Sequence, residues 1–409
     1  MLKKISTHDL RLGMFLHELC GSWMEHPFWS TKFLLEDPAD IARVVASGIK
    51  ECWIDTVKGL DVERAESRDE ASERTEEALL DAVLAQPQPE ARVAFAAEIQ
   101  RAARICARAK TAVVSMFKEA RMGRAVMAGE LAPLVEEITR SVLRNPGALV
   151  SLARLKTRDD YTYMHSVAVC GLMAALSRQL GLDAEQTREA AMGGLIHDLG
   201  KAAIPLEILN KPGKLTDAEF ARIKSHPTEG HRMLLAGGGV GAVALDVCLH
   251  HHEKMDGSGY PDGLTDERIS LYAKMGAVCD VYDAITSNRP YKSGWNPAEA
   301  LRKMTEWRTD HFDERIFQAF VKSVGIYPVG SLVRLESGLL AVVVEIVENA
   351  LLTPRVKTFY CTRRKERLHP RLVDLARPQA GDRIAGWESP ERWRFPDLEE
   401  LWQTGAAPA

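Results

Sequence analysis

The sequence predicts a mainly α protein, a helical bundle flanked by a small α+β N-terminal domain and a small β-rich C-terminal domain. Three observations carry this reading. Residues 146–326 are mostly helical by pattern, residues 1–60 alternate short apolar stretches with turn signals, and the texture after Gly325 changes to paired β-runs. A chain of 409 residues also exceeds what one core usually organises, so several units are expected.

Composition bounds the function. With 46% hydrophobic and 27% charged residues the chain is ordinary globular protein. Lys+Arg 53 nearly balances Asp+Glu 57, giving a net charge of −4, so no global field draws nucleic acid or an acidic membrane surface. Any anionic ligand needs a local site. No run of about 18 apolar residues appears, and the opening "MLKKISTHDLRLGMF" has no apolar core of signal-peptide length. These features predict a cytoplasmic protein with no membrane span. The seven cysteines are scattered and never form a CxxC pair, which predicts buried reduced thiols.

The elements follow in order. In 1–60, "DPADIARVVASGIKECWIDTV" predicts a helix capped at Asp37-Pro38 and stopped at Gly48, then a strand from Cys52 to Val57. Within 61–145, residues 61–92 are charge-dense and end in Pro87-Gln88-Pro89, an exposed, partly helical linker. From 93 to 145 the spacing of Phe95, Ile99, Ala102, Ile105, Val113, Val114 and Phe117 predicts a long connecting helix, with a homodimer-forming helix as the alternative. In 327–409, "GSLVRLESGLLAVVVEIVEN" reads as two β-runs joined at Ser337-Gly338; "VKTFYCT" continues the β-texture, and "PDLEELW" suggests a short final helix.

The chemistry concentrates in 146–326, which holds eight of the twelve histidines. In "AAMGGLIHDLGK" an apolar helical segment leads into His197, Asp198 and Lys201, and helical phase would set His197 and Lys201 on one face. Charges buried there are costly unless paired or metal-bound. His165, His226, His251, His252 and Asp280 are the remaining candidates. Each alone has an ordinary explanation, a packed core histidine or a helix cap; together they ask for a metal centre. Five imidazoles and two carboxylates exceed a tetrahedral zinc site and suit two octahedral first-row ions sharing a carboxylate. Iron and manganese lead the expectation, with cobalt, nickel and zinc as alternatives.

"HDLGK" at 197–201, "HP" at 226, "HHEKMDGSGYP" at 251–261 and "DVYDAITSNRPYK" at 280–292 resemble the HD-GYP subgroup of the HD phosphohydrolase superfamily, over about residues 150–325. The resemblance implies an all-α HD-type bundle over 146–326 and metal-dependent hydrolysis of the bacterial second messenger cyclic di-GMP. It implies one ion on His165, His197 and Asp280, a second on His226, His251 and His252, and Asp198 as the bridge. Where some members place a Glu for a third ion this chain has Tyr161, so two ions are expected. The segments "DLRLGMFLHELCGSWMEHPFW" and "GIKECWIDTVKG" resemble a domain often fused ahead of such modules.

From that resemblance the expected reaction opens cyclic di-GMP to linear pGpG, with further cleavage to GMP as a second stage. Lys201 is expected to face the phosphate and stabilise the transition state. Arg289 and Lys292 are expected to grip phosphate oxygens. Tyr260 and Pro261, carried on a turn permitted by Gly257 and Gly259, are expected to wall the site and stack a base. Asp283 is expected to orient a ligand or a substrate water, and Glu253 to act behind the ligands; His250 is expected to pack or face solvent. Two other functions stay open. One is a phosphohydrolase of another cyclic dinucleotide. The other is a non-hydrolysing effector that senses cyclic di-GMP or docks a diguanylate cyclase or other signalling protein through the Gly-Tyr-Pro loop.

Overall fold

The computed structural model describes residues 2–20, 32–47, 49–62, 66–67, 95–154, 161–211, 215–287, 294–347 and 350–403. The N-terminal part is a five-stranded antiparallel sheet of β1 (Leu2–Ser6), β2 (Phe15–Cys20), β3 (Phe33–Leu34), β4 (Glu51–Asp55) and β5 (Glu66–Ser67), in the order β3-β2-β4-β1-β5. Helix α1 (Pro38–Ala46) starts as expected: the Asp37 carboxylate accepts the Ala39 N–H, and Pro38 occupies a first-turn position where no donor is missed. Its Val44 packs with Ile5, Leu16, Leu19, Cys52 and Ile54 in a core of the sheet's own.

Two expectations change here. The strand from Cys52 stops at Asp55, whose carboxylate turns back to accept the Val57 N–H. Residues 66–67, expected in the linker, pair with β1 as an edge strand. Gly48 and residues 68–94 of the linker lie outside the described residues.

The long helix expected over 93–145 is two helices, α2 (Phe95–Arg121) and α3 (Ala132–Arg144), joined through a 3-10 turn at Ala128–Leu131. Gly123, in the left-handed conformation at φ 72°, ends α2, and Pro133 sits in the first turn of α3, where proline fits as it would not in a helix interior. The two form an antiparallel hairpin: Glu98 pairs with Ser141 and Arg144, and Arg108 with Glu137.

The rest of the bundle is α4 (Pro146–Arg154), α5 (Tyr161–Gln179), α6 (Ala184–Ile196), α7 (Leu206–Leu209), α8 (Asp217–Lys224), α9 (His226–Gly237), α10 (Ala242–His250), α11 (Leu271–Thr286), α12 (Pro297–His311) and α13 (Glu314–Val324). Residues 164–177 of α5 are buried on every side, so this helix is the axis around which the others pack. Helix α6 begins in a reciprocal cap between Asp183 and Gln186 and runs into complete burial from Ala190 to Ile196.

The C-terminal sheet holds β6 (Leu332–Leu335), β7 (Leu339–Glu345), β8 (Arg355–Cys361), β9 (Glu366–Asp374) and β10 (Ile384–Trp387), antiparallel in the order β10-β6-β7-β8-β9. Alternation on β7 sends Leu340, Val342 and Val344 into the bundle core, while Ala341 and Val343 join Val333, Leu335 and Val356 on the other face. The final short helix α15 (Leu398–Gln403), preceded by α14 (Pro390–Trp393), buries Leu401 and Trp402 in the bundle core. Glu345 also accepts the Phe95 N–H at 3.0 Å, supplying an acceptor to the start of α2. The sheet is therefore welded to the bundle. All seven cysteines are unpaired, and six are buried. Among the described residues no helix is long and apolar enough to cross a membrane.

Glu98 is fully buried and takes Arg144 Nε and Nη2 at 2.8 and 2.7 Å plus the Ser141 hydroxyl at 2.9 Å. Burial alone would raise its pKa; these donors outweigh burial and hold it below the usual value. Arg144→Ala should lower stability by about 2 kcal/mol at neutral pH, because a buried carboxylate loses its charged partner. A depressed carboxylate contributes stability that is complete above its unfolded pKa and lost as pH falls through the folded one. The gap between wild type and Arg144→Ala in thermal unfolding should therefore narrow below about pH 4.3.

Candidate metal centre

Helix ends deliver most of the candidate ligands. His165 stands on α5 and Asp280 within α11, but His197 directly follows α6, His226 opens α9, and His251 and His252 directly follow α10. Asp198 opens a 3-10 turn, Leu199–Ala203. All seven side chains are buried. Gly200 makes the approach of α9 feasible: a Cβ there would lie 1.8 Å from the His226 carbonyl oxygen.

These residues converge into three sets whose donor atoms lie within 4.8 Å of one another: His165, His197 and Asp280; His226, His251 and His252; and His197, Asp198 and His251, which links the first two. Asp198 faces both trios with different oxygens. Its Oδ2 lies 3.4 Å from His197 Nε2 and 3.6 Å from His165 Nε2. Its Oδ1 lies 3.2 Å from His226 Nε2 and 3.9 Å from His251 Nε2.

The imidazoles are fixed from behind. His197 Nδ1 donates to the Gly194 carbonyl at 2.8 Å, His226 Nδ1 to the Ile223 carbonyl at 2.8 Å, and His251 Nδ1 to the Val247 and Cys248 carbonyls at 3.1 Å. A carbonyl can only accept, so each Nδ1 carries the proton and each Nε2 turns a lone pair inward. His165 Nδ1 lies 2.6 Å from Asp283 Oδ2, the same arrangement with a carboxylate behind the ring.

The interior of the site is short of protons. His226 Nε2 and His251 Nε2 face each other at 3.3 Å, and with both Nδ1 atoms protonated two lone pairs oppose one another there. His197 Nε2, Asp198 Oδ1 and His252 Nε2 are buried without a hydrogen-bond partner. Burial, joined by the surrounding imidazoles, pushes His251 well below its usual pKa, and burial brings His252 down to about 3 against the opposing pull of Asp280. Burial would raise both carboxylates, yet Lys201, His197 and His226 hold Asp198 well below the usual range, and His165 and His197 do the same for Asp280. Burial would lower His197 as well, but Asp198 and Asp280 pull it the other way, above its usual value. Five inward-facing imidazoles around two charged carboxylates are still a donor set that fits two divalent ions.

The other expected site residues divide. Lys201 reaches the centre, with Nζ 2.5 Å from Asp198 Oδ2, but not by the expected route. Helix α6 ends at Ile196, so the four-residue phase with His197 does not apply; the 3-10 turn sets Lys201 three residues beyond Asp198 instead. Asp283 is buried behind His165, in the orienting position rather than toward open space. Tyr260 stacks on His252 at 4.7 Å between ring centres, so one of its faces is already covered, and the Lys224 ammonium lies 5.1 Å from its ring centre. Pro261 follows, half-buried. His250 turns away from the centre and pairs with Asp246 and Asp262 at 2.7 and 3.1 Å. Arg289 and Lys292 lie outside the described residues.

One residue was anticipated only in outline, and another was missed. Glu253 is buried and its carboxylate accepts the N–H groups of Asp262, Gly263 and Leu264 at 2.8, 3.1 and 2.9 Å, tying the Gly-Tyr-Pro loop back on the ligand histidines. Its position after "HHH" was visible, but the backbone it would hold was not. Lys224 was missed because only the fold brings the end of α8 to Tyr260.

The chain is similar to several known proteins. Residues 2–131 match a domain family of unknown function (DUF3391), and residues 143–316 match the HD domain. A cyclic di-GMP phosphodiesterase of Pseudomonas aeruginosa is 57% identical over 408 residues, covering 100% of this chain and 97% of the relative. A cyclic di-GMP phosphodiesterase response regulator of Xanthomonas campestris is 40% identical over 44% of this chain and 48% of its own length. A 3'3'-cGAMP-specific phosphodiesterase of Vibrio cholerae is 35% identical over 41% of this chain and 38% of its own length. Among solved structures, a HDG"Y"P protein from Bdellovibrio bacteriovorus covers 78% of this chain and 98% of its own at TM-score 0.46 and 17% identity. With the Pseudomonas aeruginosa relative 57% identical from end to end, the chain belongs to the HD-GYP family of HD-domain proteins.

Proposed function

We propose that the protein is a metal-dependent phosphodiesterase that hydrolyses cyclic di-GMP to linear pGpG in the bacterial cytoplasm. The single observation that carries the chemistry is the Asp198 carboxylate, buried between two trios with one oxygen toward each. His165, His197 and Asp280 would hold one divalent ion, His226, His251 and His252 the other, and Asp198 would bridge; iron or manganese suits this donor set best. Bound there, two such ions lower the pKa of a water between them and neutralise charge on a phosphoryl group.

The chain's own residues supply order and charge. Backbone carbonyls and Asp283 fix the imidazole tautomers, so ligand geometry is set before anything binds. Lys201, partly exposed beside Asp198, is placed to neutralise charge building on a phosphate. The Tyr260–His252 stack closes one side of the centre, and Lys224 adds a cation next to it. Arg289 and Lys292 belong to this reading as further phosphate grips by family resemblance. The full-length relative named as a cyclic di-GMP phosphodiesterase supports cyclic di-GMP as the substrate. A second reading, turnover of 3'3'-cGAMP, has the support of two Vibrio cholerae relatives named as 3'3'-cGAMP-specific, which match 41% and 42% of this chain.

Metal-loaded protein incubated with cyclic di-GMP and 3'3'-cGAMP should yield pGpG from the first, separated by chromatography. Absence of any product from cyclic di-GMP would remove the first reading, and product from 3'3'-cGAMP alone would install the second. Combined His197→Ala and Asp198→Ala should lower kcat at least a hundredfold, roughly the loss expected when a charge-stabilising group is removed. Glu253→Ala should leave metal content unchanged but raise KM about tenfold, because three loop N–H groups lose a charged acceptor.

A further inference from the structure

We infer that the N-terminal sheet, matched only to a domain of unknown function, positions the Gly-Tyr-Pro loop of the catalytic centre. This rests on reading residues 253–264 as the loop that faces substrate. Lys50, directly before β4, places Nζ 3.3 Å from Asp256 Oδ2 in that loop. Asp256 is itself pinned: its Oδ1 accepts the Ser258 N–H at 3.0 Å and the Ser258 hydroxyl at 2.7 Å, and its backbone bridges to Thr265 across the loop base. A charge placed on Lys50 therefore acts on the turn that leads into Gly259 and Tyr260.

The same sheet is anchored elsewhere to the bundle. Glu18 on β2 pairs with Lys303 of α12 at 2.8 Å, and that ammonium lies 5.6 Å from the ring centre of Trp53 on β4. Lys303 is buried, and its second carboxylate neighbour, Glu306, is held by Arg302 at 2.6 Å. Eight residues further along α12, on roughly the same stripe, His311 sits in the electrostatic neighbourhood of Lys50, Lys254 and Asp256. The sheet thus touches both α12 and the loop, and α12 ends at His311 within electrostatic reach of that loop.

The two contacts differ in strength. Glu18–Lys303 resists separation, since Lys303 is buried and parting the pair strands its charge in low dielectric. Lys50–Asp256 is the adjustable contact, because Lys50 is 55% exposed and the pair is screened by salt. Any ligand or partner that tilts the sheet on α12 changes the distance from Lys50 to Asp256 and so the rest position of the loop.

The test uses the full-length, metal-loaded protein as wild type, K50E, D256N and K50E/D256N. Asparagine keeps the acceptor for Ser258 while removing the charge. Hydrogen exchange of amides 254–264 and the KM and kcat for cyclic di-GMP are measured in parallel. K50E should speed loop exchange and raise KM by roughly fivefold with kcat nearly unchanged, the size expected of an exposed ion pair turned repulsive. In the D256N background the same substitution should do little. If K50E leaves loop exchange and KM at wild-type values, or acts equally in both backgrounds, the positioning role is wrong. If wild type opens no cyclic dinucleotide, the functional reading fails, and loop exchange alone still decides the positioning role.

Discussion

Two carboxylates, Asp198 and Asp280, are buried against five imidazoles at the centre of the bundle, and both stay charged. Everything near them answers that constraint. A single ammonium, Lys201, touches Asp198 directly, while four of the imidazoles, His165, His197, His226 and His251, hold Nδ1 outward against carbonyl oxygens or Asp283. Uncompensated, such an arrangement would be severely destabilising. Cations at the two trios would resolve it, so the atoms proposed to hold metal are the ones whose burial calls for compensation.

The fold meets this demand with helix ends. A side chain in mid-helix points outward from a rigid rod, and its neighbours are fixed by the 3.6-residue turn. A residue just beyond a terminus is freer in direction, and the terminal carbonyls, which lack intrahelical partners, accept imidazole N–H groups. His197 bonding Gly194 and His251 bonding Val247 and Cys248 both use that surplus. The opening of α9 at His226 completes the second trio, and the tight seat of Gly200 against that helix fixes its distance from Asp198. The loop beyond His252 is then drawn back by Glu253, so ligand positions and the substrate-facing wall share one support.

Much of this was legible in the sequence. The seven candidate ligands share a compact centre, and the signals behind them were residue types in an ordered set, which survive any uncertainty about helix boundaries. The cap at Asp37-Pro38 and the β-hairpin joined at Ser337-Gly338 were equally plain, because turn and cap chemistry is local. What failed was phase and reach. Lys201 was tied to His197 by assuming that α6 continued, whereas the helix stops one residue before the histidine. The helix over 93–145 was read through Gly123 and Pro133, punctuation marks outweighed by apolar spacing on both sides. Tyr260 was assigned to substrate, but its ring also serves to cover His252. The junction of Lys50 with Asp256 and of Glu18 with Lys303 joins residues more than two hundred positions apart, and no periodicity reports that.

The central claim is that Asp198 organises two cation sites at once, and metal stoichiometry tests it most directly. Protein purified anaerobically and reconstituted with iron or manganese is measured by elemental analysis alongside Asp198→Asn, a substitution that keeps shape and removes charge. Two ions per wild-type chain and a clear loss in the variant are expected. A single ion per wild-type chain, or two ions retained by Asp198→Asn with unchanged affinity, would contradict it.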